Sequence, residues 1–221
     1  MQIEFLNKND NFDNLRLIFS GYGQDRRIFD YLLAQYEGNL ALVYDYRSLD
    51  FDESLITPYK TIELFAWSMG VMIAPKVLQA HNLLDRVVKS TSINGTVYGI
   101  DDTFGIAHAM WQATIDSINE KTAMKFYQRM CTDKAVFDEF LPFSCQRSVQ
   151  ELKNELEFIQ KINQIKGTNF KYNTAYVGLK DRIFPSAAQL CALENVKETN
   201  VITTQTGHFD INLFKQILIN D

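Results

Sequence analysis

The chain has 221 residues, 46% of them apolar, and a formal net charge of −5. That size suits one globular domain with an inserted subdomain and a core that needs no disulfide staple. The acidic balance argues against nucleic acid as the main partner, and no apolar run approaches the roughly 20 residues of a membrane span.

Three scattered cysteines, Cys131, Cys145 and Cys191, form no CxxC pair and fit free thiols in a reducing compartment. Met1-Gln2-Ile3-Glu4 turns acidic at once, unlike the basic-then-apolar start of a leader, so a cytoplasmic setting is expected. A monomer is the expected oligomeric state.

Residues 3–6 read as a short strand. The turn-forming 7–11 leads to a second strand over 15–19, expected to pair with the first as a hairpin. Residues 27–36 carry an apolar face at helical spacing. Residues 40–44 and 62–67 are apolar without alternation, as in strands buried on both faces. A helix is expected over 69–80, bent or shortened by Pro75, and a further extended run over 86–93. From 98 to 167 the pattern is helical. Ser148 and Glu151 there form a capping box ahead of Leu152, Leu156, Ile159 and Ile162 on one face. Strands return at 173–177 and 201–204, with helices near 186–193 and 210–219. This alternation predicts an α/β fold with a mostly parallel sheet. The core would span 1–97 and 168–221, and 98–167 would form an inserted helical cap.

Ala66-Trp67-Ser68-Met69-Gly70 sits where a strand gives way to a helix, close to the G-x-S-x-G nucleophile elbow. The elbow projects a serine hydroxyl from the sheet, and small residues flanking it let backbones pass closely. The N–H of Met69 would face a developing oxyanion. The plainer alternative is that Ser68 caps the helix.

A serine nucleophile requires a base and an orienting acid. Of three histidines, His81 ends the helix behind Ser68, roughly 20 Å away, and His108 lies in the helical block. His208 follows the last strand, at the sheet edge where ligands gather, and is the candidate base. Asp181, in the loop after 173–177, is the candidate acid. Asp210 is a rival, better suited to capping the last helix. Gly21-Tyr22-Gly23 follows the second strand, and the Tyr22 N–H is a candidate second oxyanion donor. No cluster has metal-ligand spacing, and no cofactor is expected. The chain order Ser68, Asp181, His208 is that of the α/β-hydrolase triad.

Several blocks carry a resemblance. They are residues 19–23, Val43-Tyr44-Asp45-Tyr46, the 66–71 elbow, Ile93-Asn94-Gly95-Thr96, Asp101-Asp102-Thr103-Phe104-Gly105-Ile106 and Asp181-Arg182-Ile183-Phe184. Over nearly its whole length the chain resembles the BioG type of pimeloyl-acyl-carrier-protein methyl ester esterase, an α/β-hydrolase of biotin synthesis. The resemblance implies Ser68 as nucleophile, Asp181 as acid, His208 as base and the Tyr22 and Met69 amides as oxyanion hole. It departs at Ser20, where many hydrolases of this fold carry histidine, and at Pro75. The implied partner is acyl-carrier protein bearing a methyl-pimeloyl group, which is strongly acidic.

The 98–167 block holds eight Lys/Arg against ten Asp/Glu, yet Lys121, Lys125 and Arg129 recur every four residues. In a helix they share one face, with Met124, Tyr127 and Met130 or Cys131 expected to pack beneath. The stripe is either a docking surface or a solvated face. Phe104, Trp111 and Phe126 are expected to be core of the block rather than channel lining. A general carboxylesterase without a carrier would need the same triad and stands as the alternative.

Overall fold

The runs that are apolar without alternation become the middle of a seven-stranded sheet in the computed structural model, which describes residues 1–194 and 196–220. The strands are β1 (Gln2–Asn7), β2 (Asn14–Phe19), β3 (Leu40–Tyr44), β4 (Thr61–Trp67), β5 (Val87–Ile93), β6 (Thr174–Gly178) and β7 (Asn200–Thr204). They lie in the order β1-β3-β2-β4-β5-β6-β7, all parallel except β1, which runs antiparallel to β3.

The expected β1–β2 hairpin does not form. β2 lies between β3 and β4, while β1 pairs with β3 at the edge. Burial decides this: β2 is buried from Leu15 to Phe19, whereas every residue of β1 keeps some exposure. A strand with two buried faces belongs inside the sheet. The one charge inside β2, Arg16, is matched by its register partner Glu63 on β4, with an N–O distance of 2.7 Å.

Successive residues point to opposite faces, so the same strands feed two cores. Leu15, Leu17 and Phe19 join α2 (Gly70–Ala80), while Ile18, Leu40 and Leu42 pack against α1 (Arg26–Leu32) and the C-terminal α8 (Ile211–Lys215). Helix α1 stops short of the expected residue 36. The chain turns at Leu33, bringing the Tyr36 ring to 4.8 Å from the Arg16 guanidinium.

Between β5 and β6 lie α3 (His108–Ser117), α4 (Glu120–Met130), α5 (Lys134–Phe140) and α6 (Val149–Gln164). Ser148 and Glu151 cap α6 reciprocally, as expected. Leu152, Leu156, Ile159 and Ile162 of α6 enter the first core, and Tyr127, Met130, Phe137 and Phe140 of α4 and α5 enter the second. Each buried side chain of this size contributes roughly 1.5–3 kcal/mol, so the inserted helices share both cores of the sheet. Helix α7 (Ser186–Leu193) follows β6. Among the described residues no helix is long and apolar enough to cross a membrane.

Pro75 neither breaks nor shortens α2, which runs to Ala80. Proline lacks the N–H that would bond the carbonyl four residues earlier, here that of Val71. The buried Tyr172 hydroxyl donates to this carbonyl instead, at 3.0 Å. Tyr172→Phe leaves the oxygen buried and unpaired. The expected loss is about 1–2 kcal/mol, read as a lower urea midpoint at unchanged slope.

Candidate active site

Ser68 follows β4 with φ +56°, in the left-handed region that costs a side-chain-bearing residue about 1–2 kcal/mol. The first residue outside α2 is Met69, and no side chain caps that helix, so Ser68 does not serve as its cap. The corner is tight. A Cβ on Gly70 would lie 2.4 Å from the Phe19 carbonyl and 2.6 Å from that of Ser20, and one on Gly95 would lie 2.3 Å from the Ser68 carbonyl. Only glycine permits these approaches.

The loop after β2 passes over the same corner: a Cβ built on Gly21 would sit 3.1 Å from that of Ser68. The N–H groups of Tyr22 and Met69, both on buried residues, have no acceptor among the described residues. Buried backbone donors are nearly always paired, so two free ones near a serine are open to an outside acceptor.

His208 and Asp181 meet as expected. Nδ1 of His208 lies 2.8 Å from Oδ2 of Asp181, and both side chains are buried. A carboxylate only accepts, so Nδ1 carries a proton, and in the neutral imidazole Nε2 then offers its lone pair. Oδ1 of Asp181 accepts from the N–H groups of Ile183 and Phe184 at 2.8 and 2.9 Å, and Gln189 Nε2 donates to Oδ2 at 3.2 Å. The indole of Trp67, the neighbour of Ser68, donates to the His208 carbonyl at 3.1 Å and tilts against its imidazole. Ser68 Oγ has no partner among the described residues, His208 included. Catalytic hydrogen bonds of this kind commonly close only when substrate is bound.

The other candidates fall elsewhere. His81 pairs with Glu53 and His108 with Asp102. Asp210 caps α8 by accepting from the Leu213 N–H.

Sequence reading missed Asn94. It stands after β5 with φ +50° and is buried. Its Nδ2 donates to the carbonyls of Gly207 and His208, and its Oδ1 accepts from the Gly178 N–H. One amide thus ties the loop bearing His208 to the strand end bearing Asp181. The Asn-Gly-Thr after β5 was the available signal, since asparagine tolerates the left-handed region.

A cavity of about 80 Å³ adjoins Ser68 and is lined also by Tyr22, Met69, Trp111, Phe126 and Arg129. Trp111 is core, as expected, and Phe126 packs against both cores, while both also border this space; Phe104 is instead half-buried and tilts against Tyr98. Tyr22, Phe126, Lys125 and Arg129 also border a second cavity of about 210 Å³. A larger one, about 420 Å³, is lined by Thr96, Phe170 and Leu193 and includes none of the candidate catalytic residues.

Lys121, Lys125 and Arg129 lie exposed on α4. Tyr127, Met130 and Cys131 are buried beneath, but Met124 is 41% exposed and does not pack down. It stands one residue from Lys125, on the turn that faces outward. Arg129 donates to the Arg182 carbonyl, and both arginines border the Ser68 cavity.

A mostly parallel sheet, a strained serine between β4 and α2, and a His–Asp pair after β7 and β6 define an α/β-hydrolase. Fold neighbours agree: an esterase from Exiguobacterium antarcticum superimposes with a TM-score of 0.74 at 14% identity, covering 98% of this chain and 93% of that one.

The chain belongs to the BioG family, whose model, described as pimeloyl-ACP methyl esterase BioG, matches residues 1–216. The crystal structure of BioG from Haemophilus influenzae is similar over 100% of both chains, with a TM-score of 0.86 and 30% identity. A Bacteroides fragilis protein named malonyl-[acyl-carrier protein] O-methyltransferase is 40% identical over 204 residues. The match takes in 91% of this chain but 41% of that protein, so the chain spans about two-fifths of its length.

Proposed function

We propose that the protein is a serine esterase that converts the methyl ester of pimeloyl-acyl-carrier protein to pimeloyl-acyl-carrier protein and methanol. The observation that carries the mechanism is the pair of unbonded amides of Tyr22 and Met69 beside Ser68, with the oriented His208–Asp181 pair across the same sheet edge.

His208 Nε2 takes the Ser68 proton as Oγ attacks the ester carbonyl. The tetrahedral oxyanion accepts from the two amides, each worth about 3–4 kcal/mol in the transition state. Asp181 holds the imidazolium in place. The proton then passes from Nε2 to the departing methoxide, giving methanol and an acyl-Ser68. Water, deprotonated by His208, attacks that ester, and its collapse releases the free carboxylate and restores Ser68. No cofactor enters these steps. The segment 98–167 acts as a cap that walls the acyl space through Trp111 and Phe126.

The methyltransferase name belongs to a longer protein, most of which lies outside the match. Forming a methyl ester on a carrier-bound malonyl group and removing one from a longer carrier-bound acyl group are opposite operations on one class of substrate. The arrangement at Ser68 supports removal.

Acyl-carrier protein, being acidic, would dock on Lys121, Lys125 and Arg129. Because Arg129 also borders the Ser68 cavity, the two lysines are the cleaner probes. Reversing both to glutamate is expected to raise KM for the carrier-bound ester about 10-fold and to leave free dimethyl pimelate unaffected. Equal loss on both substrates would indicate misfolding, and no loss on either would remove the stripe from the docking site.

The deciding experiment compares methanol release from methyl-pimeloyl-acyl-carrier protein and from dimethyl pimelate, with Ser68→Ala as control. Strong preference for the carrier-bound ester is expected. Equal turnover would favour a general carboxylesterase, and no turnover by folded protein would overturn the reading.

A further inference from the structure

The oxyanion loop has two kinds of anchor. Upstream, the sheet holds it: the Ser20 N–H donates to the Val43 carbonyl at 2.9 Å, and the Tyr46 hydroxyl donates to the Ser20 carbonyl at 2.8 Å. Downstream, the anchors to other elements come from the inserted segment. Glu155 of α6 accepts the Gly23 N–H at 3.0 Å, Tyr127 of α4 donates its hydroxyl to the Gly23 carbonyl at 2.9 Å, and Arg147 donates to the Gln24 carbonyl at 3.1 Å. The peptide bearing the Tyr22 N–H is strung between these two sets.

Glu155 is wholly buried, an expensive place for a carboxylate. It is also well supplied with donors: the Gly23 and Tyr46 N–H groups at 3.0 Å each and Arg147 Nη2 at 2.7 Å. Arg147 in turn pairs with the buried Asp45 at 3.0 Å. Burial raises the Glu155 pKa, opposed first by Arg147 and then by the two backbone donors. A plain helix-to-sheet contact in this position would be met by an apolar residue, as at Leu152, Leu156, Ile159 and Ile162 on the same helix. Gly23 itself has φ +70°, and the nearest atoms to a Cβ there belong to Leu152 and Tyr127.

We propose that Glu155 and Tyr127 are positioning residues that hold Gly23 by its N–H and its C=O, fixing the two peptide units that follow Tyr22 and so aiming the Tyr22 N–H at the oxyanion; this rests on reading Ser68 as the nucleophile. The inserted helices then complete the catalytic apparatus as well as covering it. Losing a clamp leaves the Tyr22 amide free to swing, which weakens binding of the transition state and spares binding of the ester.

The test uses the full chain and a small ester, 4-nitrophenyl acetate, which needs no carrier. Glu155→Gln keeps the shape but places an NH2 against donors, and Tyr127→Phe removes one hydroxyl. Ile159→Val, on the same helix and buried, lowers the melting temperature without touching the loop and is expected to keep its kcat. Expected are a kcat loss of about 10–100-fold for Glu155→Gln and about 3–10-fold for Tyr127→Phe, with KM within about 3-fold. An alkyl boronic acid, whose tetrahedral adduct on serine places an oxygen in the same cradle, should weaken by matching factors.

A fluorophosphonate separates the two readings. Failure of the folded wild type to label at Ser68 would overturn the nucleophile and the clamp together. Labelled wild type, with Tyr127→Phe and Glu155→Gln matching Ile159→Val in kcat and boronate affinity, would overturn the clamp alone. Should Glu155→Gln not fold, Tyr127→Phe decides.

Discussion

Ser68→Ala is expected to lower kcat for methyl ester hydrolysis by about a million-fold. The alanine has no oxygen to form the acyl intermediate, and His208 is left to activate water from a position set for a hydroxyl on the protein. The cradle of Tyr22 and Met69 amides survives, so a residual rate above that in water should persist. Stability should hold, because alanine meets the same left-handed strain that serine does at φ +56°. Ser68→Gly separates chemistry from strain: it is equally inactive, yet more stable by about 1 kcal/mol. Methanol release and thermal melts of the three proteins check this. An active Ser68→Ala would remove the serine from the mechanism.

Asp181→Asn is expected to cost about 10,000-fold in kcat with little change in KM. The geometry gives the reason. Oδ1 of Asp181 accepts two backbone N–H groups, from Ile183 and Phe184. In the variant only the amide oxygen can occupy that position, which turns the NH2 toward His208. That NH2 donates to Nδ1 and drives the ring proton to Nε2, so the imidazole can no longer accept from Ser68. Nitrogen NMR of the histidine ring should report the exchanged tautomer. An unchanged tautomer together with full activity would exclude Asp181 as the orienting acid.

Much of this was legible because it is local. The strand-to-helix corner at Ser68, the two loops bearing Asp181 and His208, and the capping box at Ser148 are all written in a few neighbouring residues. The strand order was not. Sequence proximity suggested a β1–β2 hairpin, while the decisive facts are two-faced burial of β2 and the Arg16–Glu63 match, a pairing of residues 47 positions apart. Those two charges inside apolar strands were the signal available. Pro75 misled for the same reason, since the hydroxyl that relieves the helix comes from Tyr172. Asn94 escaped notice because its partners are backbone atoms of distant loops, and Glu155 because two of its three partners are too; a backbone atom leaves no letter in the sequence.

The excursion from Ile93 at the end of β5 to Thr174 at the start of β6 has a consequence for how the protein is made. Strands β2 to β5 can assemble from nearby segments, but β6 and β7 must await closure of a loop of roughly 80 residues, and such late, non-local contacts slow folding. Ser68 is supplied by the early part, and Asp181 and His208 by the late part. Regain of esterase activity should therefore trail the first recovery of sheet signal after dilution from denaturant. During synthesis on the ribosome, the proposed nucleophile would be in place well before the proposed base and acid that activate it.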